Sequence, residues 1–150
     1  MQTPRTPAAR LAALLLAAVP LSVIGAPPID HGVIKPLTAA ELGPDADVKC
    51  LKSALEAGNP DKGPSTFLLT AAPGCEVTAH YHTAGEQLLI VRGQVLTGMD
   101  GMTATVLGPG GFASMPSKAV HWFTCRSKTP CTMFVLFDGV YDIVWVKKDA

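Results

Sequence analysis

The chain of 150 residues lacks the local signatures of several common functions. It has no Cys-x-x-Cys pair, the usual mark of a thioredoxin-like redox centre or a structural zinc ribbon. It has neither the Gly-x-Ser-x-Gly segment of many hydrolases nor a glycine-rich loop followed by lysine for binding phosphate. Past the first residues it also has no strong basic cluster, so neither nucleic acid nor anionic lipid is supported as a partner.

The chain also lacks an apolar run long enough to span a membrane, and its first 26 residues have the layout of a secretory signal peptide. Arg5 and Arg10 precede an Ala/Leu/Val run without acidic residues, and small residues follow up to Ala26. Pro20 interrupts the run, and a membrane-spanning helix needs about 20 apolar residues, so we favour cleavage over a retained anchor. We therefore expect a periplasmic or secreted protein, without stable membrane insertion once the signal is removed.

Cysteine is scarce, and export would decide whether the four cysteines form disulfides. An oxidising compartment lets disulfides persist, and four cysteines allow three pairings. Cys125 and Cys131 flank a short turn-rich segment, which makes a bridge between them easy and leaves Cys50 to pair with Cys75. Free, buried thiols are the alternative.

From residue 66 onward the chain consists of short apolar runs, each bounded by Gly, Pro or Asp. Many short strands at close spacing predict one all-β domain, a sandwich or barrel over residues 66–148, after an irregular lead-in over residues 27–65. Inside the lead-in, Val48, Leu51 and Leu55 have helical spacing before Gly58, so the local pattern favours a helix over a strand. Further on, Asp100-Gly101 predicts a two-residue hairpin turn.

Several of the predicted strands are apolar on both faces, for example QLLIV at 87–91 and MFVLF at 133–137. A strand of this kind needs cover on its outer side as well as its inner side. The lead-in could supply that cover, and so could the second subunit of a homodimer; the sequence leaves both open.

Three of the chain's four histidines lie in two predicted strand-turn-strand units. His80 and His82 are two residues apart on one strand, so their side chains project from the same face. A short turn returns the chain so that Glu86 faces the same interior, and His121 begins a later strand. Nitrogen and oxygen ligands without a thiolate suit a divalent first-row ion such as Fe, Mn, Co, Ni, Cu or Zn. His31, in the lead-in, is interpreted as a solvated residue.

The order of these residues resembles the two sequence motifs of the cupin family. The segment GCEVTAHYHTAGEQLLIVRG, residues 74–93, matches the first motif at every marked position: glycine, five residues, His-x-His, three residues, Glu, six residues, glycine. In the second motif Gly110, Pro116 and His121 match. Lys118 replaces a glycine and Cys125 replaces an asparagine, which puts the shape of that turn and the end of the motif in doubt.

The resemblance covers about residues 67–146 and carries its own expectations. It implies a small jelly-roll β-barrel, also called a double-stranded β-helix. It also favours a strand rather than a helix for the segment after Val48. Members of the family usually bind one metal through three histidines and one glutamate. Carried over to this chain, those ligands are His80, His82, Glu86 and His121.

Strand alternation from these ligands predicts a largely apolar pocket around the metal. Its expected lining residues are Thr78, Leu88, Ile90 and Phe123, with Met115, Met133, Val135 and Phe137 as further candidates. Such a pocket suits a small apolar or aromatic ligand, although each of these residues would serve equally as plain core.

Two classes of function remain open. A redox-active ion with free positions suits a dioxygenase-like oxidoreductase, as the cupin family contains, whereas a Lewis-acid role suits isomerisation or hydrolysis, with Glu86 either binding the ion or moving a proton. The alternative is a non-catalytic exported module that binds a small ligand or a metal for sensing or storage.

Overall fold

The computed structural model describes residues 32–147, and this part of the chain is all-β apart from one turn of 3-10 helix. No helix among these residues is long and apolar enough to cross a membrane. The signal peptide predicted for residues 1–26 lies outside the described residues. The strands are β1 (Gly43–Pro44), β2 (Leu51–Gly58), β3 (Ser65–Ala71), β4 (Glu76–Tyr81), β5 (Glu86–Arg92), β6 (Val95–Met99), β7 (Thr105–Leu107), β8 (Phe112–Met115), β9 (His121–Cys125), β10 (Cys131–Phe137) and β11 (Val144–Trp145), and the 3-10 turn is Leu37–Ala39.

The strands form two antiparallel sheets with the crossed connections of a jelly roll, which confirms the all-β fold expected from the sequence. The six-stranded sheet has the order β1-β2-β3-β10-β5-β8, and the five-stranded sheet has the order β11-β4-β9-β6-β7. Apolar side chains of both sheets form one core, in which Leu88, Ile90, Val95 and Met133 are almost completely buried.

The segment after Val48 is a strand, so the helix favoured by its local pattern is wrong. β2 pairs along its length with β3, and at its start with β1, so these residues of the lead-in belong to the six-stranded sheet. Leu51 and Ala54 are both buried, although on a strand a separation of three places them on opposite faces. Val48 precedes the strand, and Leu55, on the same strand face as Leu51, is 48% exposed, so the helical spacing of these three residues does not mark one buried face.

Part of that outer cover comes from the lead-in itself. Leu37 contacts the same shallow cavity as Leu68 and Phe134, and Nζ of Lys35 lies 2.6 Å from a carboxylate oxygen of Glu56. Leu68, on the outer face, is thereby only 2% exposed. Further along the same face Leu89, Phe112 and Leu136 stay exposed.

The Asp100-Gly101 turn is present but differs from the predicted hairpin. The N–H of Met102 donates to the carbonyl oxygen of Met99, and Gly101 has a φ of 77°. However, Asp100 does not have the positive φ that the predicted turn type requires, and the pairing of β6 with β7 ends at Thr97 and Thr105. The connection is therefore a wider loop, and the two-residue hairpin prediction is wrong.

Two disulfides join the sheets at one end of the molecule, with the pairing expected from the sequence. Cys50 is bonded to Cys75, and Cys125 to Cys131. In each bond one cysteine adjoins or begins a strand of the six-stranded sheet, and the other adjoins or ends a strand of the five-stranded sheet. β4 and β9 run from this end to the opposite one, where they carry the histidines.

We predict that the two disulfides contribute unequally to stability. The bonds close loops with sequence separations of 25 and 6 residues. Loop-closure entropy in the unfolded chain makes the longer loop worth about 3.5 kcal/mol and the shorter about 2 kcal/mol. Denaturant unfolding of the Cys50→Ala/Cys75→Ala and Cys125→Ala/Cys131→Ala proteins should therefore show the larger loss for the first pair. Equal losses, or the reverse order, would contradict this account.

Candidate metal centre

The four residues expected to bind a metal come together at the end of the barrel opposite the disulfides. His80 on β4 is the register partner of His121 on β9, His82 directly follows β4, and Glu86 begins β5 in the other sheet. One ligand atom from each residue lies within 4.8 Å of all the others. All four side chains are buried, with exposures of 3–7%. The cluster thus lies between the two sheets.

Each histidine of the cluster is oriented by a hydrogen bond from its Nδ1 to a backbone carbonyl oxygen. Because a carbonyl oxygen only accepts, each Nδ1 carries a hydrogen and each neutral ring presents a lone pair on Nε2. This is the arrangement that a metal-binding imidazole normally has. The acceptors are the carbonyl oxygens of Thr78 for His80 (2.7 Å), of Ala119 for His121 (2.8 Å) and of Asp142 for His82.

The carboxylate of Glu86 lies close to the Nε2 atoms of two of these histidines. Its Oε2 lies 2.8 Å from Nε2 of His121 and 3.1 Å from Nε2 of His82. Despite the short distance, neither Oε2 of Glu86 nor Nε2 of His121 has a hydrogen-bond partner of proper geometry among the described residues. Two buried acceptors that face each other need a proton or a cation between them. The donor set therefore fits a metal ion.

The protonation of the cluster agrees with this picture. Burial raises the pKa of Glu86, but the close approach of the His121 and His82 rings outweighs it and lowers the pKa to about 2. Burial lowers the pKa of His80 to about 4, so its ring is neutral at physiological pH. Burial also lowers the pKa of His121, but Glu86 outweighs that effect and raises it. The carboxylate of Glu86 is therefore ionised and the ring of His80 neutral, and both are in the form that binds a metal.

The turn that carries His82 is held from two sides. On one side the carboxylate of Asp142 accepts hydrogen bonds from N and Oγ1 of Thr83, at 2.7 and 2.8 Å, which lowers the pKa of Asp142. On the other side the hydroxyl of Ser117 donates to the carbonyl oxygen of Thr83. The N–H of Lys118 donates to the carbonyl oxygen of His82. The position of His82 thus depends on both segments.

Lys118, one of the two departures from the family motif, has a left-handed backbone. Its φ is 63°, and in the described chain no other residue except glycine has a positive φ. This conformation costs a residue with a Cβ about 1 kcal/mol or more. The hydrogen bond from Lys118 to His82 shows why the turn keeps its shape although the family's glycine is absent.

A cavity of about 160 Å³ adjoins the cluster. Of the residues predicted to line a pocket, Phe123, Val135 and Phe137 do so, together with His80 and His82. The remaining lining residues are Asp45, Ala46, Asp47, Val48, Leu51, Ser53, Phe67, Leu69, Val77, Tyr141 and Ile143.

The other predicted lining residues lie elsewhere. Thr78 is exposed and lines a separate surface groove with Trp122. A register shift between Val77 and His80 breaks the strand alternation, so Val77 faces the cavity and the placement predicted for Thr78 is wrong. The remaining four are buried in the core without lining this cavity: Leu88, Ile90, Met115 and Met133.

Sequence reasoning missed two polar residues at the rim of the cavity. The hydroxyl of Tyr141 donates to Oδ2 of Asp47 at 2.8 Å. Burial raises the pKa of Tyr141, and the hydrogen bond to Asp47 raises it further, so this phenol stays protonated. The two residues are 94 positions apart in the chain, and no local pattern joins them.

Two facing antiparallel sheets with a buried cluster of three imidazoles and one carboxylate define a jelly-roll protein with a candidate metal centre. The sequence family described as Cupin domain matches residues 67–137. Residues 67–137 therefore form a cupin domain.

Solved structures agree with this fold. An RmlC-like cupin from Shewanella frigidimarina is 19% identical, with 74% of this chain and 93% of that chain covered at a TM-score of 0.60. KdgF from a Halomonas species is 16% identical, with coverages of 72% and 94% and a TM-score of 0.59. The DMSP lyase DddQ from Ruegeria pomeroyi is 23% identical, with coverages of 74% and 58% and a TM-score of 0.56. No curated protein matches the chain in sequence.

We predict that Lys118→Gly stabilises the protein. Glycine adopts the φ of 63° without strain, so the free energy of unfolding should rise by about 0.5–1 kcal/mol, after the greater entropy of an unfolded glycine is subtracted. Lys118→Ala is the control, because it removes the same charge and long side chain but keeps the strained Cβ. Denaturant unfolding of both variants measures the effect. A gain of equal size for alanine would show that the lysine side chain, rather than the backbone, is responsible.

Proposed function

We propose that the protein is an exported metalloenzyme that binds one divalent transition metal through His80, His82, Glu86 and His121 and acts on a small organic molecule. The observation that carries the proposal is the meeting of three imidazole lone pairs and a carboxylate in a buried space. Such a set of acceptors is costly to bury unless a cation compensates it. Nitrogen and oxygen donors without sulfur suit Fe, Mn, Ni, Cu or Zn.

Export is the second part of the proposal. The signal-like residues 1–26 motivate it, and the two disulfides are compatible with an oxidising compartment. Both bonds lie in the barrel itself and join its two sheets, so a reducing compartment would remove two of the links that hold the sheets together.

The cavity beside the cluster supports a small substrate. Its volume of about 160 Å³ is close to that of an engineered apolar cavity that holds a benzene molecule, which corresponds to about six to ten non-hydrogen atoms. Two of the candidate ligands, His80 and His82, line it, so a molecule in the cavity would lie beside the metal. When bound, a redox-active ion would supply oxygen chemistry of the dioxygenase kind, and a redox-inert one would polarise a carbonyl group.

The chain's own residues would position the reaction. The apolar walls from Phe67, Phe123 and Val135 exclude water from one side of the ligand. Tyr141 offers a protonated hydroxyl, held by Asp47 at the rim. Glu86, with its pKa lowered to about 2, is ionised and can bind the metal, whereas so low a pKa makes it a weak base toward a substrate.

We predict that the purified protein contains close to one divalent metal per chain, and that His82→Ala or Glu86→Gln loses most of it. Each change removes one member of the donor set, and removal of a single ligand normally costs most of a site's affinity. Elemental analysis measures the metal, and the thermal midpoint should rise on metal addition for the parent protein and for a variant that keeps all four ligands, but not for His82→Ala or Glu86→Gln. His31→Ala is the matched control, since it removes the one histidine outside the predicted ligand set. Equal metal content in the Glu86→Gln, His82→Ala and His31→Ala proteins would contradict the site.

We further predict that the metal-loaded protein turns over a small organic substrate. An O2-uptake screen with small phenols and diketones tests the dioxygenase-like form, and product analysis without O2 tests the isomerase form. The Glu86→Gln protein is the control for activity, and folding is verified by circular dichroism. Tight binding of a ligand without turnover in either screen would contradict the enzyme proposal and support a non-catalytic binding module.

A further inference from the structure

The rim of the cavity has a chemical character that the metal cluster does not explain. The cavity extends from His80 and His82 to the loop that contains Asp45 and Asp47. Asp47 is exposed and Asp45 is partly buried, so this part of the lining is in contact with solvent. A ligand that fills the cavity therefore has an inner end beside the histidines and an outer end beside these two carboxylates.

Three aromatic rings surround the path between the two ends. Phe67 and Phe137 have ring centroids 6.1 Å apart with planes inclined by 76°, and Phe67 and Tyr141 are 6.1 Å apart with planes inclined by 53°. Phe137 and Tyr141 complete the set at 5.0 Å and 64°. All three residues line the cavity. Mutually inclined aromatic faces that meet at a cavity form the kind of cage that attracts organic cations.

The charges at the rim have one sign. The acidic side chains that line the cavity are Asp45 and Asp47, and no lysine or arginine lines it among residues 32–147. Both carboxylates are held in place. Oδ2 of Asp47 accepts the hydroxyl of Tyr141, and Oδ1 of Asp45 accepts the N–H groups of Asp47 and Val48 at 3.1 and 3.0 Å. A fixed pair of negative charges beside aromatic faces favours a cation and repels an anion.

We propose that this cavity binds a small alkylated cation, with a quaternary ammonium group held among Phe67, Phe137 and Tyr141 and against the carboxylates of Asp45 and Asp47. Tyr141 links the two groups, because its ring belongs to the aromatic set and its hydroxyl is hydrogen-bonded to Asp47. This inference deepens the proposed function by naming the substrate class, and it rests on that function only for the inner end, where a donor atom of the ligand would meet the metal.

The test compares two molecules of the same shape. Choline carries a quaternary ammonium group, and 3,3-dimethyl-1-butanol carries a neutral tert-butyl group in its place. We expect the purified metal-loaded protein to bind choline about tenfold more tightly than its neutral counterpart, as isothermal titration calorimetry would measure. Pivalate, of similar bulk but negative charge, should not bind detectably.

Variants separate the contribution of charge from that of the rings. Asp47→Asn and Asp45→Asn keep an acceptor oxygen for the same hydrogen bonds but remove the charge, so each should reduce choline affinity several-fold and leave the neutral alcohol unaffected. Tyr141→Phe keeps the ring and should retain most of the preference for choline, whereas Tyr141→Leu should lose much of it. Asp100→Asn, an exposed carboxylate that does not line the cavity, is the control.

The result that overturns the inference is equal affinity for choline and 3,3-dimethyl-1-butanol, or no binding of either by the folded, metal-loaded protein. An unchanged preference for choline in the Asp45→Asn/Asp47→Asn protein would also overturn it. Metal content is measured on the same samples. A normal metal content without a preference for choline refutes the cation site and leaves the metal centre standing. A preference for choline in a protein that binds no metal refutes the metal centre and leaves the cation site standing.

Discussion

The structure depends on how its two sheets are joined at opposite ends. At one end two disulfides connect strands of different sheets. At the other end no disulfide joins them in the described part of the chain, and Glu86 of one sheet instead faces His80 and His121 of the other. Buried acceptors that face each other repel unless a cation lies between them. A metal at this position would thus complete the core as well as provide a reactive centre.

The hydrogen bonds behind the cluster show that its geometry is built into the fold. Each Nδ1 donates to a backbone carbonyl oxygen, two of them from residues two positions before the histidine itself. The third acceptor, the carbonyl of Asp142, comes from a distant part of the chain, and the carboxylate of the same residue holds the turn after His82. His82 is therefore positioned by tertiary contacts, whereas the other two histidines are positioned largely by their own strands.

This difference explains how much could be predicted from the sequence. His80, His82 and Glu86 lie close together in the sequence, His121 was added by the resemblance to the cupin motifs, and the structure brings these four residues together. The disulfide pairing, which followed from the short turn between Cys125 and Cys131, is confirmed. The helix favoured after Val48 was wrong because pairing with β3, which a local pattern does not contain, decides the conformation of this segment, and Leu55 is exposed rather than part of a buried helical face. Thr78 was misplaced because a register shift before His80 reverses the alternation, and a shift of this kind depends on the partner strand.

The polar residues at the rim of the cavity were not predicted from the sequence. They come from parts of the chain outside the region that matches the cupin family. The four candidate ligands fall within residues 67–137, the part that matches the cupin family, whereas Asp45, Asp47 and Tyr141 fall outside it. The region that matches the family therefore carries the candidate ligands and most of the apolar walls of the cavity, whereas the carboxylates at the rim lie outside it. The lead-in and the last residues of the described chain fold back over the cavity and supply its charges and one of its rings. Under the proposed function, the groups that these flanking segments place at the rim would contribute to the choice of substrate together with the walls from the family region.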